Sequence, residues 1–533
     1  LWPGLPEIAQ FRNSDQEPAT TKTLVDAMTK RERAARFPAP IYAETVLTPN
    51  FSESQLHFLE SLMEIHRAHA LMLCRQRIVS REEAGRLLDG LASLDQVKIL
   101  SARYDGSVED LFYFVERELV GQIGEETAGK LHIARSRNDI DVTLYRMALR
   151  GEVLSLTDDL RALRGELIGL ARANLTTVMP AHTHTQPAQP TTFAHYISAA
   201  IEFLSRDIGR LQRAFSNVNQ NPLGACAITT TGFPIDRELT GRLLGFEGVV
   251  ENSYYAIGGI DYLLEAVSAL GTAAISLGRF TQDLLLWATQ EFSFLTLNDG
   301  FVQGSSIMPQ KRNPVALEHV RILLSRSVGQ SQAIMTSVHN TPFGDINDIE
   351  DDLQPLVFST FGDARRAVRL LSGAVEAIII DRDRLRTKAG GSLLTMTELA
   401  DTLTRREKLS FRMAHRLVGA TARRLSGPAA SHDEIVATLI DIASELLERP
   451  LRTSRSDLLQ ALCPLNFVEV RQTIGGPAPV RVAEFLDRQE AQAQADQRWI
   501  DEKRKLLLRY PGLIGREVER LRARAVPRSG SQP

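Results

Sequence analysis

Three short stretches carry side chains suited to handling carboxylates and protons. The first, residues 304–314, reads Gly304-Ser305-Ser306-Ile307-Met308-Pro309-Gln310-Lys311-Arg312-Asn313-Pro314. Gly304 lets the backbone fold tightly, so neighbouring N–H groups can point at one anion. A serine in such a nest can be held as an unusually basic oxyanion. Lys311 and Asn313 can grip a carboxylate, one as a point charge and the other through its amide. These residue types are also ordinary in a surface loop, but such a loop does not normally carry Ile307-Met308 at its middle. In the second stretch, 130–141, Ser136, Arg137 and Asn138 are consecutive donors just ahead of a long helical pattern. Helix N-termini favour anions, so this reads as a carboxylate cradle, or more plainly as an N-cap with a solvent-facing arginine. The third, 180–190, holds His182, Thr183 and His184 in a proline-rich strip that cannot be regular helix. A histidine there can act as a general acid near neutral pH. The HxH spacing also raises a metal site, ranked below catalysis because no Cys, Glu or third His lies nearby.

The elements that must position these groups are helices. Apolar residues recur at helical spacing over Ser52–Val79 (Leu56, Leu59, Leu62, Ile65, Ala68, Leu71), and further helices are expected at Glu82–Leu94 and Val108–Val120, the last capped by Ser107. The longest signals fall at Val142–Ala173, Thr191–Phe215, 262–292, Val315–Val338 and Leu353–Ile379. Several long amphipathic helices in one segment describe an elongated bundle. Within 262–292, Gly271, Gly278 and several alanines leave a small-residue face suited to close helix contact. Pro314 suits the first turn of its helix. Residues 1–38 are expected to form an irregular arm with a short helix, Gln489–Arg509 a charged, solvated helix, and 527–533 a frayed tail. The fold expected is all-α.

Composition narrows the class. Hydrophobic residues at 43% and charged residues at 24% are an ordinary soluble balance. A net charge of −3 gives no reason to expect nucleic acid or an anionic membrane as partner. Cys74, Cys226 and Cys463 are far apart, which rules out a disulfide framework and suits a reducing, cytoplasmic setting. No secretory signal and no uninterrupted apolar run approaching a membrane span is read from the sequence.

Residues 304–314 meet every fixed position of GSSxMPxKxNP, and so resemble the signature loop of the aspartase/fumarase superfamily. The strip 180–190 is similar to that family's THxQxAQP, and 130–141 to the TGRSRNDQ of argininosuccinate lyases, with Ile133-Ala134 and Ile140 as departures. Thr395–Gly419, Phe467–Pro479 and residues 236–239 fit the same branch, so the resemblance covers most of the chain. It implies Ser305 as catalytic base, with Thr183 and His184 as a proton-transfer pair. Glu318 would orient His184 and raise its basicity, and Lys311 would assist catalysis. Substrate contacts would come from Ser136, Arg137, Asn138, Gln186, Met308 and Asn313. It further implies no cofactor or metal, and three domains (1–134 N-terminal helical, 135–384 central bundle, 385–533 C-terminal helical). The assembly implied is a homotetramer with a twenty-helix core, in which each site takes one motif from each of three subunits.

Departures concern the amine half of the substrate. Where the branch usually shows NSxDAxxxRD, residues 252–261 read Asn-Ser-Tyr-Tyr-Ala-Ile-Gly-Gly-Ile-Asp. A TYNKDLQEDK-like run is replaced by 341–352, rich in Asp345, Asp348, Glu350, Asp351 and Asp352, and a usual histidine is Phe112. The fumarate-forming half is kept and the amine-choosing half is rebuilt. Three readings follow. One is a carbon–nitrogen lyase releasing fumarate from an aminopolycarboxylate of the ethylenediamine-disuccinate type. The second is argininosuccinate lyase itself, and the third is a catalytically silent, crystallin-like homologue.

Overall fold

The computed structural model describes residues 37–391, 393–425 and 430–523. Residues 1–36 of the arm expected at 1–38, and the tail at 527–533, lie outside them. The fold is all-α, with strands confined to four two-stranded ribbons among the described residues.

Helices α1 (Thr48–Arg75), α2 (Arg81–Ser93) and α3 (Leu111–Ile123) open the chain. Leu59, Leu62, Ile65, Ala68 and Leu71 of α1 are buried as their spacing predicts, whereas Leu56 at the start of the stripe is exposed. The cap of α3 is Asp110, whose side chain accepts the Tyr113 N–H at 2.9 Å, rather than Ser107. Asp110 stands three residues before that free donor, and an acceptor there beats a serine further back.

α4 (Arg137–Arg172) runs for 36 residues, about 54 Å at 1.5 Å per residue. It starts in a capping box: the Ser136 hydroxyl accepts from the first turn, and the Asp139 carboxylate returns a bond to the Ser136 N–H. Strands β1 (Val178–Thr183) and β2 (Gln186–Thr192) form an antiparallel hairpin, followed by α5 (Phe193–Val218). Pro180, Pro187 and Pro190 are tolerated because a two-stranded ribbon leaves edges that ask for no N–H. α6 (Asp261–Trp287), α7 (Val315–Val338) and α8 (Gln354–Glu376) complete a ring in which α4 packs on α5, α5 on α6, α6 on α7, α7 on α8 and α8 back on α4. A Cβ added at Gly271 of α6 would lie 3.4 Å from the Ser331 side chain of α7, so this glycine does serve close contact. Gly278 instead lines an open groove of about 530 Å³ between the same two helices. α6 matches a membrane span in length and mean hydropathy, but Glu265, Arg279 and Asp283 interrupt its apolar run and its apolar face lies in the bundle core.

Three apolar cores result. One joins α1–α3 to the start of α4, through Tyr145 and Met147. The largest takes the rest of α4, from Leu149, with α5–α8. The third gathers α9 (Met396–Glu407), α10 (Phe411–Arg424) and α11 (His432–Leu447). The last helix, α12 (Pro479–Ala523), lies along α4 and α5. The segment 489–509 within it is not fully solvated: Asp496, Ile500 and Lys503 are buried, Asp496 binding Arg164 of α4 at 2.5 Å.

Candidate active site

Ser305 leads the first loop. Gln303–Gly304 pairs with Arg312–Asn313 as a minimal ribbon, closing 305–311 into a loop. The Ser305 Oγ accepts the N–H groups of Ile307 (3.3 Å) and Met308 (3.1 Å). Two donors on one hydroxyl oxygen favour its anionic form. Lys311 turns its N–H to the Met308 carbonyl and leaves its side chain exposed, while Asn313 is half-buried at the loop's base. Arg312 braces that base through Asp299 and the Leu297 carbonyl. Pro314 is the N-cap of α7 rather than a first-turn residue, and Glu318 lies exposed in the helix's first turn.

The second motif is the hairpin tip. Thr183 pairs with Gln186, leaving His184 and Thr185 as the two-residue turn. Both adopt left-handed backbone, φ 50° and 60°, as a type I′ turn demands. Neither is Gly or Asn, so the turn carries some backbone strain, and its place at the hairpin tip leaves His184 exposed. His182 lies against Phe292, and burial lowers its pKa. His195 bridges Thr191 and the Gly475 carbonyl at 2.8 and 3.0 Å, tying α5 to the third part of the chain.

The third motif opens α4. The Ser136 hydroxyl donates to the Asn138 side chain, whose amide reaches the Ala227 carbonyl at 3.3 Å. Arg137 is not the free donor its position suggested: its guanidinium is held by Glu109 at 2.7 Å and Asp110 at 2.9 Å. Ala134, at the departure from the family pattern, takes φ 61°, a region where glycine is the easier residue.

Motifs one and two sit at one end of the bundle. Arg382, just beyond the strand Ile378–Ile380 that pairs with Leu295–Leu297, reaches Asn174 and Ala173 at the end of α4. Motif three sits at the opposite end, a helix length away. No hydrogen bond or ion pair among the described residues joins His184 to Glu318 or Ser305, or either to Ser136–Asn138.

The rebuilt segments lie at the motif-three end. Asp351 accepts from Tyr145 of α4 at 2.8 Å, and a Cβ on Gly258 would meet the Gly344 nitrogen at 2.9 Å. Tyr254 stacks on Phe343, and the Tyr255 hydroxyl donates to Asp261, at 2.6 and 2.7 Å from its two oxygens. Burial, then the Asp351 and Asp110 carboxylates, pushes Asp141 well above the usual range. Burial and the neighbouring Asp345 push Glu350 up to about 8. Asp141 and Tyr145 were missed by sequence reasoning. Their four-residue spacing placed them on one face of α4, but what that face meets is more than 200 residues further along.

Taken together, a long-helix ring with these three loops defines the architecture of fumarate-forming lyases. Two family models match the chain, one described as a lyase over residues 94–329 and one as the argininosuccinate lyase C-terminal region over 393–469. An argininosuccinate lyase 2 from Agrobacterium fabrum is 40% identical over 458 residues, spanning 86% of this chain and 91% of that protein. An argininosuccinate lyase from Methanosarcina acetivorans is 36% identical, spanning 81% and 87%. A crystal structure of EDDS lyase in complex with formate superposes with a TM-score of 0.80 at 30% identity, covering 92% of this chain and 97% of that one. A class II fumarase from Schistosoma mansoni, at 16% identity and TM-score 0.63, shares the fold. The chain belongs to the argininosuccinate-lyase branch of the aspartase/fumarase superfamily. It is a fumarate-forming carbon–nitrogen lyase.

Proposed function

We propose that the chain releases fumarate from an N-substituted aspartate whose amine half is cationic, of the ethylenediamine-disuccinate kind. The observation carrying this reading is the set of carboxylates beside the cradle: Asp351 on Tyr145, with Asp141, Asp110 and Glu350 around it. Crowding and burial push Asp141, Asp351 and Glu350 up, and an ammonium group is the partner that would let these carboxyls ionise together, whereas the free carboxylate of an arginine moiety would add to the crowding. Argininosuccinate is the second reading, favoured by the 40% identity to a protein of that name. The silent, crystallin-like reading is set aside because the chain is a lyase.

In the elimination, Ser305 takes the C–H proton next to a carboxylate, the Ile307 and Met308 N–H groups holding its oxygen anionic. Lys311, Asn313, Ser136 and Asn138 bind the succinyl carboxylates as charge shifts onto one of them, with Met308 and Gln186 beside them. His184, with Thr183 and oriented by Glu318 of another subunit, protonates the departing nitrogen. Arg137 supports the cradle by holding Glu109 and Asp110. The motifs are divided between the two ends of α4, which supports a site shared among three subunits of a homotetramer.

Steady-state kinetics with both candidate substrates test the reading. Ethylenediamine-disuccinate is expected to give the higher kcat/KM, by orders of magnitude, since a buried site lacking partners for arginine's polar groups loses about 1–3 kcal/mol for each. A wide margin for argininosuccinate makes the protein an ordinary argininosuccinate lyase.

A further inference from the structure

Asp139 is fully buried, yet every hydrogen bond its carboxylate accepts comes from backbone. One oxygen takes the Ser136 N–H at 2.9 Å; the other takes the N–H groups of Gly224 (2.7 Å) and Cys226 (3.0 Å). The segment it grips is held in an unrelaxed shape. Gly224 sits at φ +91° with no room for a Cβ, which would meet the Arg237 side chain at 2.7 Å, and Cys226 is left-handed at φ 54°. Arg237 braces the segment from behind through the carbonyls of Pro222 (3.1 Å) and Leu223 (3.0 Å). In return the segment touches the cradle twice. Cys226 Sγ meets the Ala134 carbonyl at 3.2 Å, and the Ala227 carbonyl receives the Asn138 amide at 3.3 Å.

We propose that Asp139 is a positioning residue of the carboxylate cradle: its carboxylate clamps the backbone of 224–226 against 134–138 and so aims Ser136 and Asn138 at the substrate. The role rests on the proposed function only in its last step, because the clamp itself exists whatever the substrate is. An isosteric amide cannot replace it. Whichever way an asparagine amide is turned, its NH₂ faces at least one backbone N–H, and that donor goes unmet.

Charge state provides a handle that does not depend on mutation. The groups facing Asp139 are Arg135 on its own segment, and Cys226 and Arg237 on the segment across; Arg135 in turn faces Glu116 and His66. Burial prevails over the three N–H bonds and pushes the carboxyl up to about 6. A pKa raised on folding adds stability at low pH that is lost as pH rises through about 6. The clamp runs the other way, since protonation turns one acceptor site into an O–H donor and weakens the hold of the carboxyl on the three N–H groups. Loosening of 224–227 between pH 7 and 5 without a matching loss from this group's share of global stability is therefore the signature.

The test uses the full chain and its Asp139→Asn variant, with fumarate and ethylenediamine as substrates for the addition reaction. Hydrogen exchange at 224–227, corrected for the intrinsic rate, is expected to accelerate in the variant at pH 7 and in the wild type at pH 5. The variant's KM for fumarate is expected to rise about tenfold, the cost of one unmet buried bond, with kcat changed much less. Unchanged exchange at 224–227 at pH 7 in Asp139→Asn, or in Asp139→Ser should the amide fail to fold, overturns the clamp. Faster exchange with an unmoved KM overturns its link to the site. A wild type that adds no amine to fumarate overturns the proposed function and the positioning role with it, while the exchange result still decides the clamp.

Discussion

A serine hydroxyl within reach of two main-chain N–H groups has a different chemistry from one in water. Ser305 accepts from Ile307 and Met308 without any side chain acting as its base. Replacing Ser305 with alanine is expected to leave folding intact, because the ribbon Gln303–Gly304 and Arg312–Asn313 closes the loop independently of the side chain. Fumarate release is expected to fall about 10²–10⁴-fold, the range for loss of a positioned acid or base. Absorbance of fumarate under saturating substrate checks this, and near-normal turnover removes Ser305 from the role. At this scale the sequence was informative where a motif is local and silent where it is not. The Ser305 nest and the Ser136 cap are made by residues within three positions. Arg137, by contrast, looked free because Glu109 and Asp110, which hold it, lie 28 and 27 residues earlier. Asp139 gave no sign of its reach to Gly224 for the same reason.

Helices were legible because a buried stripe repeats every three to four residues over many turns, as in α6 and α7. Their ends were less so, and the hairpin 178–192 was read only as non-helical, since proline-rich strands lack the alternation that announces a sheet. The charge-rich α12 misled most: its polar composition concealed one face that docks on α4 through Arg164–Asp496, while Lys503 reaches Glu247, between α5 and α6, at 2.6 Å. Arg164 is fully buried. Its replacement by alanine leaves Asp496 as an uncompensated buried charge, expected to destabilise by about 3–5 kcal/mol. Denaturant unfolding of the variant measures this, and a loss well under 1 kcal/mol would show that the Arg164–Asp496 pair adds little to the hold on α12.

For the whole molecule, α4 is shared between two apolar cores, and α12 gives Leu486 and Ile500 to the larger of them. The 36 residues of α4 hold the cradle and the hairpin about 54 Å apart, far beyond the span of any four-carbon dicarboxylate. The proposed shared site draws these ends from different copies. Ser305→Ala and His184→Ala chains, each inactive, should regain partial activity when denatured and refolded together, because mixed assemblies contain some sites free of both lesions. Mixtures that stay dead while refolded wild type recovers would refute shared sites. The same ring has a consequence for how the protein is made. α6 is covered by α5, which precedes it, and by α7 and α8, which follow it in the chain. A ribosome adding about 5–20 residues per second takes roughly 4–18 s to travel from the end of α6 to the end of α8. Through that interval the nascent chain carries an apolar helix face with part of its cover still to be made, so a chain released early would offer that face to other apolar surfaces.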